Sequence, residues 1–348
     1  MNENIKNTVR VFPMQGRMDY LRYDMNENPE GLPENFVEMV KKEITPEFLA
    51  TYPEPDRFLH KYARYTGVEF DNVLAVNGSD MAIRYLLEAF GERGKEVVTV
   101  TPSFEMYWVN CNILGYNHVP VAYNSDFTMD INNILAVIND NTRVVVLINP
   151  NNPVGNVYSE SEVEQVIKKA DSVGAIVIID EAYYYFFDGT FLDLVKRYSN
   201  VVVLRTFSKL FSLAACRLGV IVGAKDLIRC VRNIKLTFDA NSIALLFAER
   251  LLDHPEIEQV LIEEEKEGKQ YILKALRQRG YECRDCMGNF IFVKTRKTPE
   301  LVSKELKDKH KVLVKRYTNE LLKEYIRVSV GSKRAMERFL SYYFAVDS

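Results

Sequence analysis

The sequence predicts an α/β fold: a large domain on a mostly parallel seven-stranded sheet sandwiched by helices, then a smaller α+β C-terminal domain. Between residues 73 and 222, seven short β-rich runs alternate with helical stretches, at 73–76, 97–100, 119–122, 144–148, 176–179, 201–204 and 219–222. Most of these runs are apolar throughout rather than alternating, which suits a sheet covered on both faces. Beyond residue 224 the pattern changes to long, charge-rich helical segments with two β-like runs, 290–293 and 325–330.

Taken in order, residues 1–30 are polar and irregular, better suited to an arm lying across the small domain or a neighbouring subunit than to a core element. Residues 31–240 make the large domain and 241–348 the small one. Within the latter, 256–279 reads as a helix whose run Glu263-Glu264-Glu265-Lys266-Glu267 is a solvated face. A helical segment separates its two β-like runs, and another closes the chain.

Composition narrows the function. The 348 residues are 47% hydrophobic and 27% charged, with a net charge of −3 and no basic stripe, so neither nucleic acid nor an anionic membrane is an expected partner. No apolar run reaches transmembrane length, and the first residues lack the pattern of a signal peptide. Five cysteines, an odd number, fit free thiols in a reducing cytoplasm. Cys283 and Cys286 form a single C-x-x-C, but no second ligand pair accompanies it and the four histidines are isolated, so no metal site is expected.

In layered α/β sheets ligands collect beyond the carboxyl ends of the strands. After 73–76 comes Asn77-Gly78-Ser79-Asp80 and then a helical pattern, either an anion site at a helix start or an ordinary N-cap. There is no G-x-G-x-x-G, which argues against a dinucleotide fold. After 97–100 comes Thr101-Pro102-Ser103-Phe104, whose aromatic is a stacking platform or core. After 144–148 comes Asn149-Pro150-Asn151-Asn152-Pro153-Val154-Gly155, too constrained for a plain turn. After 176–179 comes Asp180-Glu181-Ala182-Tyr183. A carboxylate ending a buried run is costly unless it meets a cation, such as a protonated pyridine, or caps the next helix.

The most informative stretch follows 201–204. Thr206 and Ser208 precede Lys209, and Arg217 lies eight positions beyond it. Two hydroxyls, an amine and a guanidinium at one strand end suit a Schiff-base lysine beside a phosphate. Together these pieces match the edges of pyridoxal 5′-phosphate.

The motifs resemble those of the fold-type I, pyridoxal-phosphate-dependent class I/II aminotransferases, and most closely the histidinol-phosphate aminotransferase family. Asn26-Glu27-Asn28-Pro29 is similar to that family's NENP, and Tyr52-Pro53-Glu54-Pro55 to its YPDP segment. The resemblance implies that Lys209 holds the cofactor as a Schiff base and then moves the proton between substrate Cα and cofactor. It implies that Asp180 pairs with the pyridine nitrogen, Phe104 stacks on the ring, and Tyr183 and Asn152 bond its phenolic oxygen. Ser79, Asp80, Thr206, Ser208 and Arg217 would hold the phosphate, Tyr52 would reach the partner subunit's site, and Arg327 would grip the substrate carboxylate. The working unit implied is a homodimer acting on small molecules.

Three positions depart from the family pattern. Met81 replaces an acidic residue, Lys315 replaces an arginine near the substrate's phosphate end, and Phe12 lies near an expected phosphate-contacting tyrosine. Histidinol phosphate with 2-oxoglutarate is therefore no more than the leading substrate pair. Another amino-phosphate or an aromatic amino acid is a variant, and decarboxylation of an O-phosphorylated amino acid is the alternative chemistry. A non-enzymatic regulator is disfavoured, because Lys209, Asp180 and Arg217 are all retained.

Overall fold

The computed structural model describes residues 3–6, 8, 10 and 12–348, so positions 1, 2, 7, 9 and 11 of the expected arm lie outside the described residues. The first strand, β1 (Leu21–Tyr23), falls within that arm. The next seven are β2 (Val73–Val76), β3 (Glu96–Thr101), β4 (Asn117–Ala122), β5 (Thr142–Ile148), β6 (Ile176–Asp180), β7 (Val201–Thr206) and β8 (Gly219–Gly223). They form one sheet in the order β2-β8-β7-β6-β5-β3-β4. Every neighbouring pair is parallel except those made by β8, which runs antiparallel to both β2 and β7.

The apolar runs are explained by what covers them. Val145, Leu147, Val177, Ile179, Val201 and Val203 point into one buried layer, and Val144, Val146, Ile148, Ile178, Val202 and Leu204 into another. Successive side chains alternate between the faces, so a strand buried on both must be apolar at every position. Fully burying each such side chain contributes about 1.5–3 kcal/mol.

The smaller sheet adds β9 (Cys283–Asp285), β10 (Phe290–Lys294), β11 (Val312–Arg316) and β12 (Tyr325–Ser329), in the order β1-β11-β12-β10-β9. The opening segment is thus less irregular than its composition suggests. Leu21, Arg22 and Tyr23 pair in parallel with Val312, Leu313 and Val314, and Tyr23 is fully buried with its hydroxyl donating to the Ala335 carbonyl at 2.9 Å. A three-residue strand leaves no periodicity to read, and its pairing partner lies some 290 positions away in the register Leu21↔Val312.

The helix Ser242–Asp253, which the sequence division places with the small domain, buries Ala244, Leu245, Phe247, Ala248 and Leu251 in the layer that holds Phe36 and Phe58 of the large one. The 24-residue helix Pro255–Gln278 then spans both cores, with Ile257 against the first and Ile272, Leu273 and Leu276 in the second. Its charged face is not wholly solvated, since the Glu265 tip is buried.

Candidate active site

The topology gathers the strand-end residues at one edge of the large sheet. Because β7 and β8 are antiparallel, with Thr206 opposite Gly219, the connecting segment 207–218 leaves and rejoins the sheet at the same end. Val76 also lies opposite Gly219, and Asp180 is registered with both Ile148 and Leu204. The turns after β2, β5, β6 and β7 therefore open onto one edge, the carboxyl end of the parallel strands.

Asp180 ends β6 and is only 3% exposed. Tyr107 donates its hydroxyl to one carboxylate oxygen at 2.9 Å, and the Ala182 N–H donates to the other at 3.0 Å. Burial pushes the carboxyl up to about 6, although both hydrogen bonds pull it down, and the charges of Asp80 and Glu181 push with burial. Glu181 turns away from this cluster, pairing with buried Arg205 at 2.8 Å and accepting from Thr190 and the Phe191 N–H.

Lys209 is half-buried, its Nζ 5.6 Å from the centre of the Tyr183 ring and donating to the Met25 carbonyl at 3.0 Å. The Tyr183 hydroxyl accepts from Asn26 Nδ2 at 3.1 Å. Asn26 is wholly buried at φ 55°, with its N–H on Ser329 Oγ at 2.8 Å and its carbonyl accepting from Asn289 at 3.0 Å. Neighbouring Glu27 is held between Arg17 at 2.9 Å and Arg22 at 3.3 Å. Burial pushes its carboxyl up, but Arg17 outweighs burial and holds it below the usual range, with smaller help from Arg22 and Lys209.

Arg217 adopts the left-handed region at φ 57° and contacts Asp80 at 3.0 Å, the Ala214 carbonyl at 3.2 Å and Ser208 Oγ at 3.4 Å. Its guanidinium occupies the space beside Gly78, where a Cβ would stand 2.5 Å from Nη2. Gly78 itself sits at φ +75° and opens the helix Gly78–Phe90, so Ser79 and Asp80 lie in the first turn, where backbone N–H groups are free to bind an anion. Gly219 presses on the same turn, its Cβ position 2.7 Å from the Ser79 nitrogen. The Thr206 hydroxyl is turned inward, accepting from the Ser208 N–H at 3.1 Å and facing the Leu218 carbonyl at 3.4 Å. Phe104 is half-buried at the rim of the apolar layer that contains Tyr107.

The constrained loop after β5 divides its three asparagines between two tasks. Asn149 accepts from the Tyr158 N–H at 2.8 Å and Asn151 from the Val154 N–H at 3.0 Å, which fixes the loop. Asn152 is left to accept from Arg327 Nη1 at 2.7 Å. Arg327 Nη2 donates to the Asp24 carbonyl at 2.7 Å, while its buried Nε has no partner among the described residues. Lys315 is the cross-strand partner of Arg327 on β11, and strand alternation puts both on one face. Arg316 points the other way, toward Glu300 at 3.7 Å.

Tyr52, expected at the partner subunit's site, and Phe12 both lie at the surface. Tyr52 is 71% exposed and stacks on Phe238 with ring centres 4.2 Å apart, and Phe12 is 72% exposed. All five cysteines are free thiols, and buried Cys286 packs under Gly155, whose Cβ would meet it at 2.4 Å. Among the described residues no cluster suits a metal ion, and no helix is long and apolar enough to cross a membrane.

The family pattern described as aminotransferase class I and II matches residues 19–342. The chain belongs to that family. It is 30% identical over 328 residues to a histidinol-phosphate aminotransferase of Clostridium novyi, covering 93% of this chain and 91% of the relative. The fold matches a histidinol-phosphate aminotransferase of Sinorhizobium meliloti solved with pyridoxal-5′-phosphate, at TM-score 0.88 and 20% identity over 100% of this chain and 96% of that one. It also matches an L-threonine-O-3-phosphate decarboxylase of Porphyromonas gingivalis, at TM-score 0.76 and 21% identity over 93% and 98% of the two chains.

The residues of this aminotransferase fit pyridoxal phosphate. Asp180 is a buried carboxyl whose bonded partners, Tyr107 and Ala182, carry no positive charge. The Gly78 cradle places a guanidinium beside free helix N–H groups, as a phosphate requires. Two residues that organise this aminotransferase site escaped the sequence reading. Tyr107 sits in the helix Met106–Leu114, whose buried side includes Val109 and Cys111, so it carries no polar signal. Asn26 lies in a recognised motif but is tied to the site only through Tyr183 and Ser329.

Proposed function

We propose that this aminotransferase moves an amino group between histidinol phosphate, or a closely similar amino-phosphate, and 2-oxoglutarate, using Lys209 and pyridoxal phosphate. The observation that carries the reading is Arg327, buried beside Asn152 with an unpartnered Nε edge, and cross-strand from Lys315 on the same face. A guanidinium edge suits a carboxylate, and an ammonium further along the same sheet face suits a phosphate.

Pyridoxal phosphate, when bound, supplies an electron sink that allows the Cα–H bond of an amino acid to break. The protein's residues do the rest. Arg217, Ser208 and the first-turn N–H groups of Ser79 and Asp80 would bind the phosphate group. Asp180, steadied by Tyr107, would be kept ionised by a positive ring nitrogen and would keep that nitrogen charged in return. Phe104 would cover a ring face, while Tyr183 and Asn152 would bond its phenolic oxygen. Lys209 would hold the aldehyde group and, as a free amine, would serve as general base for the Cα proton. Arg327 fixes the substrate carboxylate and so decides which Cα bond faces Lys209.

The working unit is a two-fold dimer in the cytoplasm, with Tyr52 serving the partner's site. Supporting this, Tyr52 and Phe238 form an exposed stacked pair, and Leu49 and Leu236 on the same two segments are 62% and 65% exposed. Decarboxylation of an O-phosphorylated amino acid is the competing chemistry.

The test is a half-reaction titration of the purified holoenzyme with L-glutamate and L-histidinol phosphate in separate cuvettes, read by visible absorption. Conversion by both supports the proposal. Conversion by glutamate alone moves the search to other amino-phosphates, and carbon dioxide release from a phosphorylated amino acid would favour the lyase.

A further inference from the structure

A small cavity lies at the junction of the two cores, lined by Lys209, Asn28, Glu264, Glu265, Asn289 and Ser332 among others. It offers about 20 Å³ to the centres of water-sized molecules, enough for one water with polar neighbours. Two of its lining residues carry buried oxygens with no hydrogen-bond partner among the described residues, Glu265 Oε1 and Asn289 Oδ1. Glu265 is half-buried as a residue, and its Oε1 is enclosed.

The neighbouring donors are committed elsewhere. Lys269, one turn along the helix from Glu265, is turned to the Gly288 carbonyl at 2.9 Å and to Asp285 at 3.1 Å. Asn28 donates to Ser212 and to the Gly31 carbonyl, and the Ser332 hydroxyl donates to Glu30. Lys209 uses one ammonium hydrogen on Met25 and has two more to give.

We propose that Glu265 is a positioning residue for Lys209: its carboxyl and the Asn289 amide oxygen hold one water in this cavity, through which a proton passes between the Lys209 amine and Glu265. The transfer balances without a co-reactant: an ammonium N–H bond breaks, a carboxylic O–H bond forms, and the water gives up one proton as it receives another. Glu265 is suited to the exchange. Burial pushes its carboxyl up to about 7, while Lys269 pulls it down and Asp285 pushes it up. Lys209 and Glu264 line the same cavity, with Glu30 beyond Glu264. The proposal rests on Lys209 being the reactive amine of the proposed function.

The test is the pH profile of Lys209 acetylation, followed by peptide mass spectrometry on the full-length protein. It is run without cofactor and with pyridoxamine phosphate, which has no aldehyde and leaves the amine free. Glu265→Gln should move the acetylation profile toward lower pH, since it removes a carboxylate that shares the cavity with the amine. Glu264→Gln, a neighbouring carboxylate on the same helix, should move it much less. Equal profiles for wild type and E265Q, or an equal shift in E264Q, would overturn the proposal. Should E265Q fail to fold, wild type decides: coupling to a second titrating group adds a second inflection to the Lys209 profile, and a single step refutes it. Failure of wild type to develop a cofactor absorption band would instead count against the proposed function.

Discussion

Tyr107 donates its hydroxyl hydrogen to Asp180 at 2.9 Å, joining a residue of an apolar helix to the carboxyl that ends β6. The bond favours the ionised carboxylate against burial, so its removal leaves Asp180 harder to ionise. Tyr107→Phe should weaken pyridoxal phosphate binding by about tenfold, in line with a hydrogen bond to a charged group. Equilibrium titration of the cofactor band measures it; unchanged affinity would remove Tyr107 from the site.

The raised value at Asp180 also predicts how the cofactor-free protein responds to pH. A carboxyl whose folded value lies above its ordinary one stabilises the fold fully at low pH, and that contribution is lost as pH rises through about 6. Asp180→Asn should therefore stabilise the cofactor-free protein at pH 8 relative to wild type by about 2–3 kcal/mol, with the advantage gone near pH 4. Urea unfolding at both pH values checks the sign, and the same variant should bind cofactor poorly.

Gly78 is needed for space as well as conformation. An alanine there would adopt φ +75° and place its Cβ 2.5 Å from Arg217 Nη2, displacing the guanidinium from the helix start. Gly78→Ala should lower affinity for inorganic phosphate and for pyridoxal phosphate together, by about tenfold or more. Competition titration would show it, and a selective loss of one ligand would contradict the cradle.

Arg327 and Lys315 should separate by substrate. Arg327→Lys loses the planar edge and should raise KM for glutamate and the phosphorylated donor alike by about 10- to 100-fold. Lys315→Ala should raise KM for the phosphorylated donor only. Steady-state kinetics with each substrate decides; an equal effect of K315A on glutamate would place the phosphate end elsewhere.

The exposed Tyr52–Phe238 stack gives the last prediction. Phe238→Glu puts a charge into an apolar strip and should shift the protein toward the mass of one chain in sedimentation, with activity falling in parallel. A fully active monomer would remove Tyr52 from the shared site.

Much of this was legible in the linear chain. The runs at 144–148, 176–179 and 201–204 could be read as doubly covered strands because each position faces a buried layer, and Lys209, Asp180 and Arg217 stood out because costly polar groups followed those runs directly. β1 and Tyr107 were not legible, the first because it is three residues long and paired across the chain, the second because its polar atom rides on an apolar helix. The helix Ser242–Asp253 looked like the start of a new domain, since a change in composition says nothing about which core receives a buried face.

The sequence by itself determined the layered sheet and pointed to Lys209 and the strand-end residues around it, because these follow from local patterns of burial and charge. Only the tertiary structure decided that Arg217 fills the space at Gly78, that Tyr107 bonds Asp180, and that Glu265 and Lys209 share a cavity. Those relationships join residues far apart in the chain, and their distances are set by how strands register and helices pack, which no short stretch of sequence encodes.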